Sequence, residues 1–359
     1  MKKLGLIGAG QLAYMICEAA KTWDVACICL DKSDAPAHRL CQDRIVGSTN
    51  DGTKYTELAK KSDVLTIEIE KIDLEALGDL NIIPNEQCLK ILCNKYLQKE
   101  FLQENKIPSA PFFLVTSRSD LERNKDGSFV LKLASGGYDG RGVFTWPNSD
   151  LKDDFFHSQV YAEEKQEIAK ELAMIVSRNA KGQIASFPAT EMQMREDKQL
   201  DYLFSPAAIE ETLNHQMQDI CKNIVTKLNY QGVLAIEFFL TKSGELLVNE
   251  MAPRPHNSGH HTIEACESSQ FDHVIASAFD WDLPSTKQNQ AAAVLNLIGL
   301  SKEQCESLLE PEIRGAYLHY YHKAARPGRK VGHICFVAQR LEDAVENLKK
   351  VQERIKEYA

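Results

Sequence analysis

The pattern of apolar and polar positions changes period several times along the chain, and these changes predict its elements. The first hundred residues alternate short apolar runs with helical patterns: strand 3–9, helix 11–21, strand 25–30, helix 53–61 and strand 64–70. Strands that alternate with helices in this way predict a parallel α/β sheet. A helical stretch over 86–105 follows, and a new strand begins at 107–113. We therefore expect a domain boundary near residue 100.

Two strand-like runs, 235–241 and 245–251, flank a short Gly-containing turn and predict a β-hairpin. A turn centred between residues 243 and 244 places Glu237 opposite Glu250, with Val248 among the apolar neighbours on their face. Like charges opposed across a strand pair are destabilising, so this pair requires a cation. Mg²⁺ binds carboxylate oxygens and leaves coordination places for substrate phosphates. The alternative is a solvated acidic pair on an exposed hairpin face.

A glycine turn follows the first predicted strand. Gly8 and Gly10 precede a helix, and Asp31 ends the second strand about 20 residues later, as in a dinucleotide-binding fingerprint. The third glycine of that fingerprint is Ala13 here. NAD binding, binding of another phosphate at the helix N-terminus, and a purely structural tight turn all remain open for this segment.

A lysine lies inside an apolar strand and a glycine-rich loop follows it. Lys132 lies inside the otherwise apolar strand that opens the run 129–143, where a buried ammonium group is costly unless an anion pairs with it. Successive glycine N–H groups after residue 135 can surround phosphate oxygens. The order of lysine and glycines differs from a Walker A loop. The combination favours nucleotide binding over a simple hairpin.

Acidic and basic clusters mark three further segments. Glu68 and Glu70 end a predicted strand, at the edge where open α/β sheets bind ligands, although a solvated strand end fits as well. Glu163, Glu164 and Glu171 form an acidic stretch that can meet ribose hydroxyls or simply face water. Four cations within eight residues (Lys323, Arg326, Arg329 and Lys330) suit a phosphate or carboxylate, or form a solvated basic turn.

Composition limits the class of partner. The chain has 359 residues and a net charge of −9, which argues against binding to nucleic acid or to an anionic membrane. No apolar run approaches the roughly 18 residues that span a membrane, and the N-terminus shows no signal-peptide pattern. Ten cysteines occur without a CxxC pair, so we expect reduced, mostly buried thiols in a cytoplasmic protein.

Together these patterns predict ATP held by the strand lysine and the glycine loop, with Mg²⁺ between the phosphates and the hairpin carboxylates. The basic clusters then remain for a second, anionic substrate. Phosphoryl transfer requires mainly positioning and charge neutralisation from the protein. An acyl phosphate, made from a carboxylate or bicarbonate and attacked by an amine, is the product that fits these groups.

The chain resembles the ATP-grasp superfamily and, within it, the N5-carboxyaminoimidazole ribonucleotide synthetases. The resemblance covers nearly the whole chain and is carried by GAGQLAYM (8–15), TIEIE (66–70), VLKLASGGYDGRG (130–142), GVLAIEFFL (232–240), NEMAPRPHNSGHHT (249–262) and ARPGRKVGH (325–333). It implies that ATP phosphorylates bicarbonate to carboxyphosphate, which delivers carbon dioxide to the amine of aminoimidazole ribonucleotide. It also implies a cytoplasmic homodimer that uses Mg²⁺, or Mn²⁺ in its place.

The resemblance also assigns site residues. The nucleotide site falls on Lys95, Lys132, Gly137, Tyr138, Asp139, Gly140, Arg141, Gly142, Val143, Glu163, Glu164, Lys165, Gln166, Glu171, Asn249 and Glu250. The metal ligands fall on Glu237 and Glu250. The substrate and carboxyphosphate site falls on Tyr138, Arg254, His256, Asn257, Lys323 and Arg329, with Lys330 close by and either Glu68 or Glu70 added. Which of these two acids belongs to the site stays open at this point, with Glu70 taken as the candidate.

The implied fold is α/β and α+β. A Rossmann-like pre-ATP-grasp domain with a parallel sheet (1–100) precedes an ATP-grasp domain (101–290), which contains a Gly-rich lid at about 101–165 and the Mg-ATP hairpin at 234–251. A small C-terminal domain with a basic substrate loop (291–359) follows. The chain departs from the family pattern at Tyr14, Lys71 and Met194. A sister ligase that uses formate and glycinamide ribonucleotide, a non-catalytic ribonucleotide-binding relative and an NAD-dependent oxidoreductase are the alternatives.

Overall fold

The computed structural model describes residues 1–123, 128–136, 142–147, 153–309 and 313–358. Its first sheet is parallel, with strand order β3-β2-β1-β4-β5. The elements of this region are β1 (Lys2–Ile7), α1 (Gln11–Thr22), β2 (Val25–Asp31), β3 (Asp43–Val46), α2 (Thr53–Lys61), β4 (Val64–Ile67) and β5 (Ile82–Ile83). The predicted α/β alternation is confirmed. The predicted strand 64–70 is shorter than expected. Strand β4 ends at Ile67, and Glu68 and Glu70 lie beyond its end.

The predicted helical stretch over 86–105 consists of two helices, α3 (Glu86–Leu92) and α4 (Lys95–Glu104). The side chain of Asn94 accepts a hydrogen bond from the Leu97 N–H (3.1 Å) and thereby begins the second helix. Lys95 becomes the first residue of α4 for this reason. The predicted domain boundary near residue 100 lies within α4.

A small antiparallel sheet follows, with strand order β6-β9-β7-β8. Its elements are β6 (Phe112–Val115), α5 (Arg118–Arg123), β7 (Phe129–Leu133), β8 (Val143–Trp146) and β9 (Val160–Glu164). Strand β7 carries Lys132 and pairs with β9, which carries Glu163, so the sheet brings these two residues to neighbouring strands.

The large sheet has strand order β15-β14-β10-β12-β13-β16-β18-β17, with β11 paired to β10. The elements of this region are β10 (Ile168–Arg178), β11 (Ile184–Ser186), β12 (Thr190–Met194), β13 (Leu200–Ser205), α6 (Glu211–Lys227), β14 (Gly232–Thr241), β15 (Leu246–Ala252), α7 (Thr262–Ala265), α8 (Gln270–Ala278), β16 (Ala291–Ile298), α9 (Lys302–Ser307), β17 (Ala316–Tyr320), β18 (Lys330–Ala338) and α10 (Leu341–Ile355). Short 3-10 helices occur at Pro36–Arg39, Asp153–His157, Asn257–Gly259 and Lys356–Tyr358. The last three strands continue the sheet through the pairing of β13 with β16.

One apolar core joins the parallel sheet to the large sheet. Leu12 and Ile16 of α1 lie in the same buried cluster as Phe271 and Ile275 of α8 and as Val233 of β14. The start of α1 is thereby held against the loop that follows the hairpin. In the described part of the chain, no helix is both long and apolar enough to cross a bilayer.

Candidate active site

The two hairpin carboxylates face each other as predicted. Glu237 of β14 pairs with Glu250 of β15, and their side chains are about one-fifth and one-third exposed. The register shifts directly after this pair, so that Phe238 lies opposite Val248. The expectation that Val248 shares the carboxylate face is therefore wrong, because it packs with Phe238 in the core on the other face of the hairpin.

The register shift is a β-bulge at Asn249. Strict alternation would point Asn249 away from the face of Glu250, and the extra residue turns both side chains to one face. The Asn249 amide donates to Glu237 Oε2 (3.3 Å), and its oxygen accepts from Lys132 Nζ (3.1 Å). The bulge thus connects the acidic pair to the strand lysine.

Three lysines approach this acidic face from different elements. Lys95 Nζ lies 2.8 Å from Glu250 Oε2, and Lys132 Nζ lies 2.6 Å from Glu163 Oε2. The need for an anion at Lys132 is therefore confirmed. Lys99, which sequence reasoning missed, is 2% exposed and lies 2.8 Å from the other oxygen of Glu163. Its position one helical turn after Lys95 was the available signal.

The carboxyl groups of the site have pKa values shifted in opposite directions. Burial, then the negative charges of Glu250 and Glu171, raise the pKa of Glu237 to about 7. Burial alone would also raise the pKa of Glu250, but the charge and hydrogen bond of Lys95 hold it below its usual value. The two carboxylates repel each other, and Glu237 binds a proton near neutral pH. A cation between them would stabilise this arrangement.

The donor set fits Mg²⁺ when phosphate and water complete the coordination. Among the described residues, no group of three or more His, Cys, Asp or Glu side chains is placed to hold a metal ion. Glu237 and Glu250 alone would supply two carboxylates. Mg²⁺ is usually bound by one or two carboxylates with substrate phosphates and several waters, so two are sufficient.

The loop after β15 turns its polar side chains toward the same face. Arg254 pairs with Glu70 at 2.8 Å, and His256 Nε2 lies 3.6 Å from Glu237 Oε1. Burial, then the charges of Arg254 and Lys330, lower the pKa of His256 to about 3, so its ring is neutral near pH 7. Of the two candidate acids, Glu70 contacts the loop arginine, whereas Glu68 accepts a hydrogen bond from the glycine turn.

A glutamine from the glycine turn connects this loop to the C-terminal region. Gln11 donates to Asn257 Oδ1 (3.4 Å) and accepts a hydrogen bond from Lys323 Nζ. One side chain at the start of α1 thus orients two predicted substrate residues that are far apart in sequence. Gln11 had no predicted role, although it lies inside the GAGQLAYM motif.

The N–H groups of the glycine turn already have internal acceptors. Asp31 accepts from the Ala9 N–H at 2.9 Å, and Glu68 accepts from the Gly10 N–H at 2.8 Å. A Cβ atom at Gly8 or Gly10 would lie 2.5 to 2.7 Å from the Glu68 side chain. The glycines therefore allow close approach of a carboxylate of the chain itself, which favours the structural turn over a dinucleotide site.

Three stacked imidazole rings support the loop from behind. His333 lies between His260 and His319, with ring centroids 4.5 Å apart on both sides. His319 Nε2 lies 2.6 Å from Glu264 Oε1. Because His260 and His333 are fully buried, their pKa values lie well below the usual range, mainly through burial. These rings fix the backbone that carries His256 and Asn257.

Other predicted nucleotide residues lie on the small sheet and on β10. Glu163 is buried between two lysines, whereas Glu164 is exposed and Glu171 is half-buried. The Glu163 carboxylate is therefore already paired with lysines of the protein itself. The remaining residues of this set lie at the ends of the same strands: Lys165, Gln166, Gly142 and Val143. The predicted residues Gly137, Tyr138, Asp139, Gly140 and Arg141 lie outside the described residues.

The basic turn is not gathered into one cluster on the site. Lys323 reaches Gln11, and the charge of Lys330 lowers the pKa of His256. Arg329 instead donates to the carbonyl of Ala324 in its own turn (3.3 Å). The structure thus brings Lys323 and Lys330 toward the loop and leaves Arg329 at its edge.

Family models match three consecutive parts of the chain. They are a ribonucleotide synthetase preATP-grasp domain at residues 1–92, an ATP-grasp domain at 100–271 and a phosphoribosylaminoimidazole carboxylase C-terminal domain at 292–347. The three matches follow the order of domains expected from the sequence.

Known proteins resemble the chain over almost its whole length. The N5-carboxyaminoimidazole ribonucleotide synthase of Bacillus subtilis is 32% identical over 96% of this chain and 94% of its own. The solved N5-carboxyaminoimidazole ribonucleotide synthetase of Thermotoga maritima is 37% identical, with a TM-score of 0.88 and 98% of each chain covered.

Longer relatives occur in yeasts. The phosphoribosylaminoimidazole carboxylase of Ogataea methanolica is 36% identical over 96% of this chain but 68% of its own length. The chain spans about two-thirds of the length of the yeast carboxylases that it matches. The bacterial and structural matches are full-length, and on their identity and coverage the chain belongs to the N5-carboxyaminoimidazole ribonucleotide synthase family of ATP-grasp proteins.

Proposed function

We propose that the chain is a ligase that carboxylates 5-aminoimidazole ribonucleotide with ATP and bicarbonate, giving N5-carboxyaminoimidazole ribonucleotide, ADP and phosphate. The observation that supports this most is the opposition of Glu237 and Glu250 on one hairpin face, with Lys95 and Lys132 beside them. This is the arrangement that a Mg²⁺-bound triphosphate requires, because it combines metal ligands with cations that neutralise phosphate oxygens. Membership of the family supports the substrates.

On the nucleotide side, Lys95 and Lys132 hold phosphate oxygens in this proposal. Each ammonium group now contacts an acceptor of the site, Glu250 for Lys95 and Asn249 for Lys132. Binding of the nucleotide therefore replaces these acceptors by phosphate oxygens. The ion pair between Lys132 and Glu163 keeps the lysine in place during this exchange. When bound, Mg²⁺ neutralises developing charge on the phosphates. Glu237 and Glu250 would hold it.

On the second side, bicarbonate and then carboxyphosphate meet the amine near Arg254, His256 and Asn257. Arg254 is oriented by Glu70 and supplies a fixed positive charge for the anion. The neutral ring of His256 is fixed by Ser258 Oγ at 2.9 Å and serves as a hydrogen-bonding group, because its low pKa makes it a weak base. Lys323, held by Gln11, binds the ribonucleotide.

Family membership also supports a cytoplasmic homodimer in this proposal. These two points depend on the resemblance alone. Sedimentation of the purified chain tests the dimer directly, and a monomer at micromolar concentration would contradict it.

The activity is tested by ADP release from Mg-ATP. We expect release that depends on both bicarbonate and aminoimidazole ribonucleotide, with N5-carboxyaminoimidazole ribonucleotide as product. The matched control replaces these substrates by formate and glycinamide ribonucleotide, which should give no release above background. Release with the control pair instead would identify the sister ligase. Ribonucleotide binding without any turnover would indicate a non-catalytic relative.

A further inference from the structure

Strand β15, which carries the bulge at Asn249, is the outermost strand of the large sheet. Its inner side pairs with β14, and its outer side receives hydrogen bonds from helix α4 and from the segment before β6. These outer contacts lie at the backbone of Val248, which precedes the bulge, and of Met251, which follows Glu250. The bulge is thus held from outside the sheet on both of its sides.

Gln98 of α4 supplies the contact after the bulge. Its side-chain oxygen accepts a hydrogen bond from the Met251 N–H at 2.9 Å, and its side-chain nitrogen donates to the Met251 carbonyl at 2.8 Å. The same nitrogen donates to the carbonyl of Leu92, the last residue of α3, at 2.7 Å. Gln98 is 3% exposed, so its loss would leave these backbone groups buried without their partners. The Gln98 amide therefore pairs with Met251 as a neighbouring strand would.

Two further contacts hold Val248 on the other side of the bulge. The Val248 N–H donates to the Pro108 carbonyl at 2.8 Å, and the Val248 carbonyl accepts from Lys99 Nζ at 3.2 Å. Lys99 follows Gln98 directly on α4, and its ammonium group is fixed by the ion pair with Glu163. Helix α4 therefore contacts the backbone of β15 both before and after the bulge.

These contacts fix the register of the residues that carry the site. Ile236 pairs with Met251, although the pairs on the turn side of the bulge follow a register shifted by one residue. In a ladder without the extra residue, Glu250 would take the place opposite Ile236. A shift by one residue turns a side chain to the other face, which here is the core face where Ile236 and Met251 pack. Because Gln98 binds Met251, it keeps Glu250 on the face of Glu237.

We propose that Gln98 is a positioning residue for the predicted metal ligand Glu250, because it holds the β-bulge of β15 in register. This role rests on the proposed function, in which Glu250 binds the Mg²⁺ of the nucleotide. Lys95, three residues earlier on α4, contacts Glu250 at 2.8 Å. Helix α4 therefore carries both the cation that neutralises the Glu250 carboxylate and the amide that places it.

Calorimetric titration of the full chain with ADP, in the presence and absence of Mg²⁺, tests the proposal without any need for turnover. The wild type should bind ADP more tightly when Mg²⁺ is present. We expect Gln98→Met to lose roughly 10- to 100-fold of this gain in affinity, the usual effect of removing a group that orients a metal ligand. Its affinity for ADP without Mg²⁺ should equal that of the wild type, because Lys132 keeps its ion pair with Glu163.

Asn179→Leu is the matched control. Asn179 is also buried, in the turn between β10 and β11, and its amide likewise donates to two acceptors and accepts one hydrogen bond. This variant should lose stability to urea as Gln98→Met does, but keep the wild-type gain from Mg²⁺. Should Gln98→Met not fold, Gln98→Glu takes its place, since it keeps an acceptor for the Met251 N–H and loses the donor. A loss in the same direction is expected there.

The outcomes separate this role from the proposed function. A Gln98 variant that keeps the wild-type gain from Mg²⁺ would overturn the positioning role and leave the proposed function intact. An equal loss in Asn179→Leu would show a general effect of lowered stability and would also overturn the positioning role. A wild-type chain that gains no ADP affinity from Mg²⁺ would contradict both the Mg-nucleotide clamp and the role of Gln98 in it.

Discussion

The Glu163 carboxylate lies between two buried ammonium groups. Its replacement by glutamine is predicted to destabilise the contact between the small sheet and helix α4. Lys99 and Lys132 lie 2.8 and 2.6 Å from its two oxygens, and the Glu163 side chain is 4% exposed. Glutamine keeps the volume and removes the charge. Lys99 is then a buried cation whose anion is gone, and it repels Lys132.

The structure gives the size of this effect. Burial alone would raise the pKa of Glu163, yet the two lysines hold it at about 2, against an ordinary value of 4.5. A shift of this size corresponds to about 3 kcal/mol favouring the ionised form. Loss of one partner of a buried ion pair costs about 3 to 5 kcal/mol in general. We therefore expect Glu163→Gln to lower the free energy of unfolding by about 3 kcal/mol.

Urea unfolding of the ligand-free chain, followed by far-UV circular dichroism at pH 7.5, measures this loss. The matched control is the double variant Glu163→Gln/Lys99→Met, which removes the unpaired charge and should recover about half of the lost stability. In the wild type, the contribution of Glu163 is present above about pH 4.5 and is lost as the pH falls toward 2. A single variant that loses less than 1 kcal/mol, or a double variant no more stable than the single, would refute the reasoning.

Three further predictions concern the nucleotide site. Glu250→Gln removes a predicted ligand charge and should nearly abolish ADP release while thermal unfolding changes little; turnover within a few-fold of wild type would show the metal assignment to be wrong. Lys132→Met should weaken ATP binding measured by calorimetry, and an unchanged affinity would count against a phosphate contact. The pKa of Glu237 is about 7, so Mg²⁺ must displace a proton from this carboxyl group below pH 7. The Mg²⁺ concentration for half-maximal ADP release should therefore rise roughly tenfold for each pH unit below 7. A requirement that is the same at pH 8 and pH 6 would contradict the shifted pKa.

The elements of the fold were predicted well where the apolar periodicity and the turn residues indicated the same element. The α/β alternation, the hairpin and the facing of Glu237 and Glu250 follow from apolar periodicity and a Gly-containing turn. The break at Asn94 was missed because its effect depends on one side-chain cap inside a continuous helical pattern. The large sheet could not be predicted from local patterns, because strands β13 and β16 pair in it although they are far apart in sequence.

The candidate site, too, was predictable where local patterns sufficed and not where it depends on contacts between distant residues. The sequence indicated that Lys132 needs an anion, but it could not identify Glu163, because their strands pair only in the folded sheet. Strict alternation separates Asn249 from Glu250, and the bulge of the folded hairpin brings both side chains to one face. The roles of Lys99 and Gln11 were missed because each depends on contacts with residues distant in the chain.

In the proposed function, the hairpin carboxylates Glu237 and Glu250 form a Mg-nucleotide clamp. The most direct measurement is a crystal structure of the chain with Mg²⁺ and ADP. We expect a cation with oxygen atoms of Glu237, Glu250 and the diphosphate at about 2.0 to 2.1 Å, and Lys132 in contact with a phosphate oxygen. A nucleotide bound elsewhere, or a cation with neither carboxylate in its coordination sphere, would contradict the account.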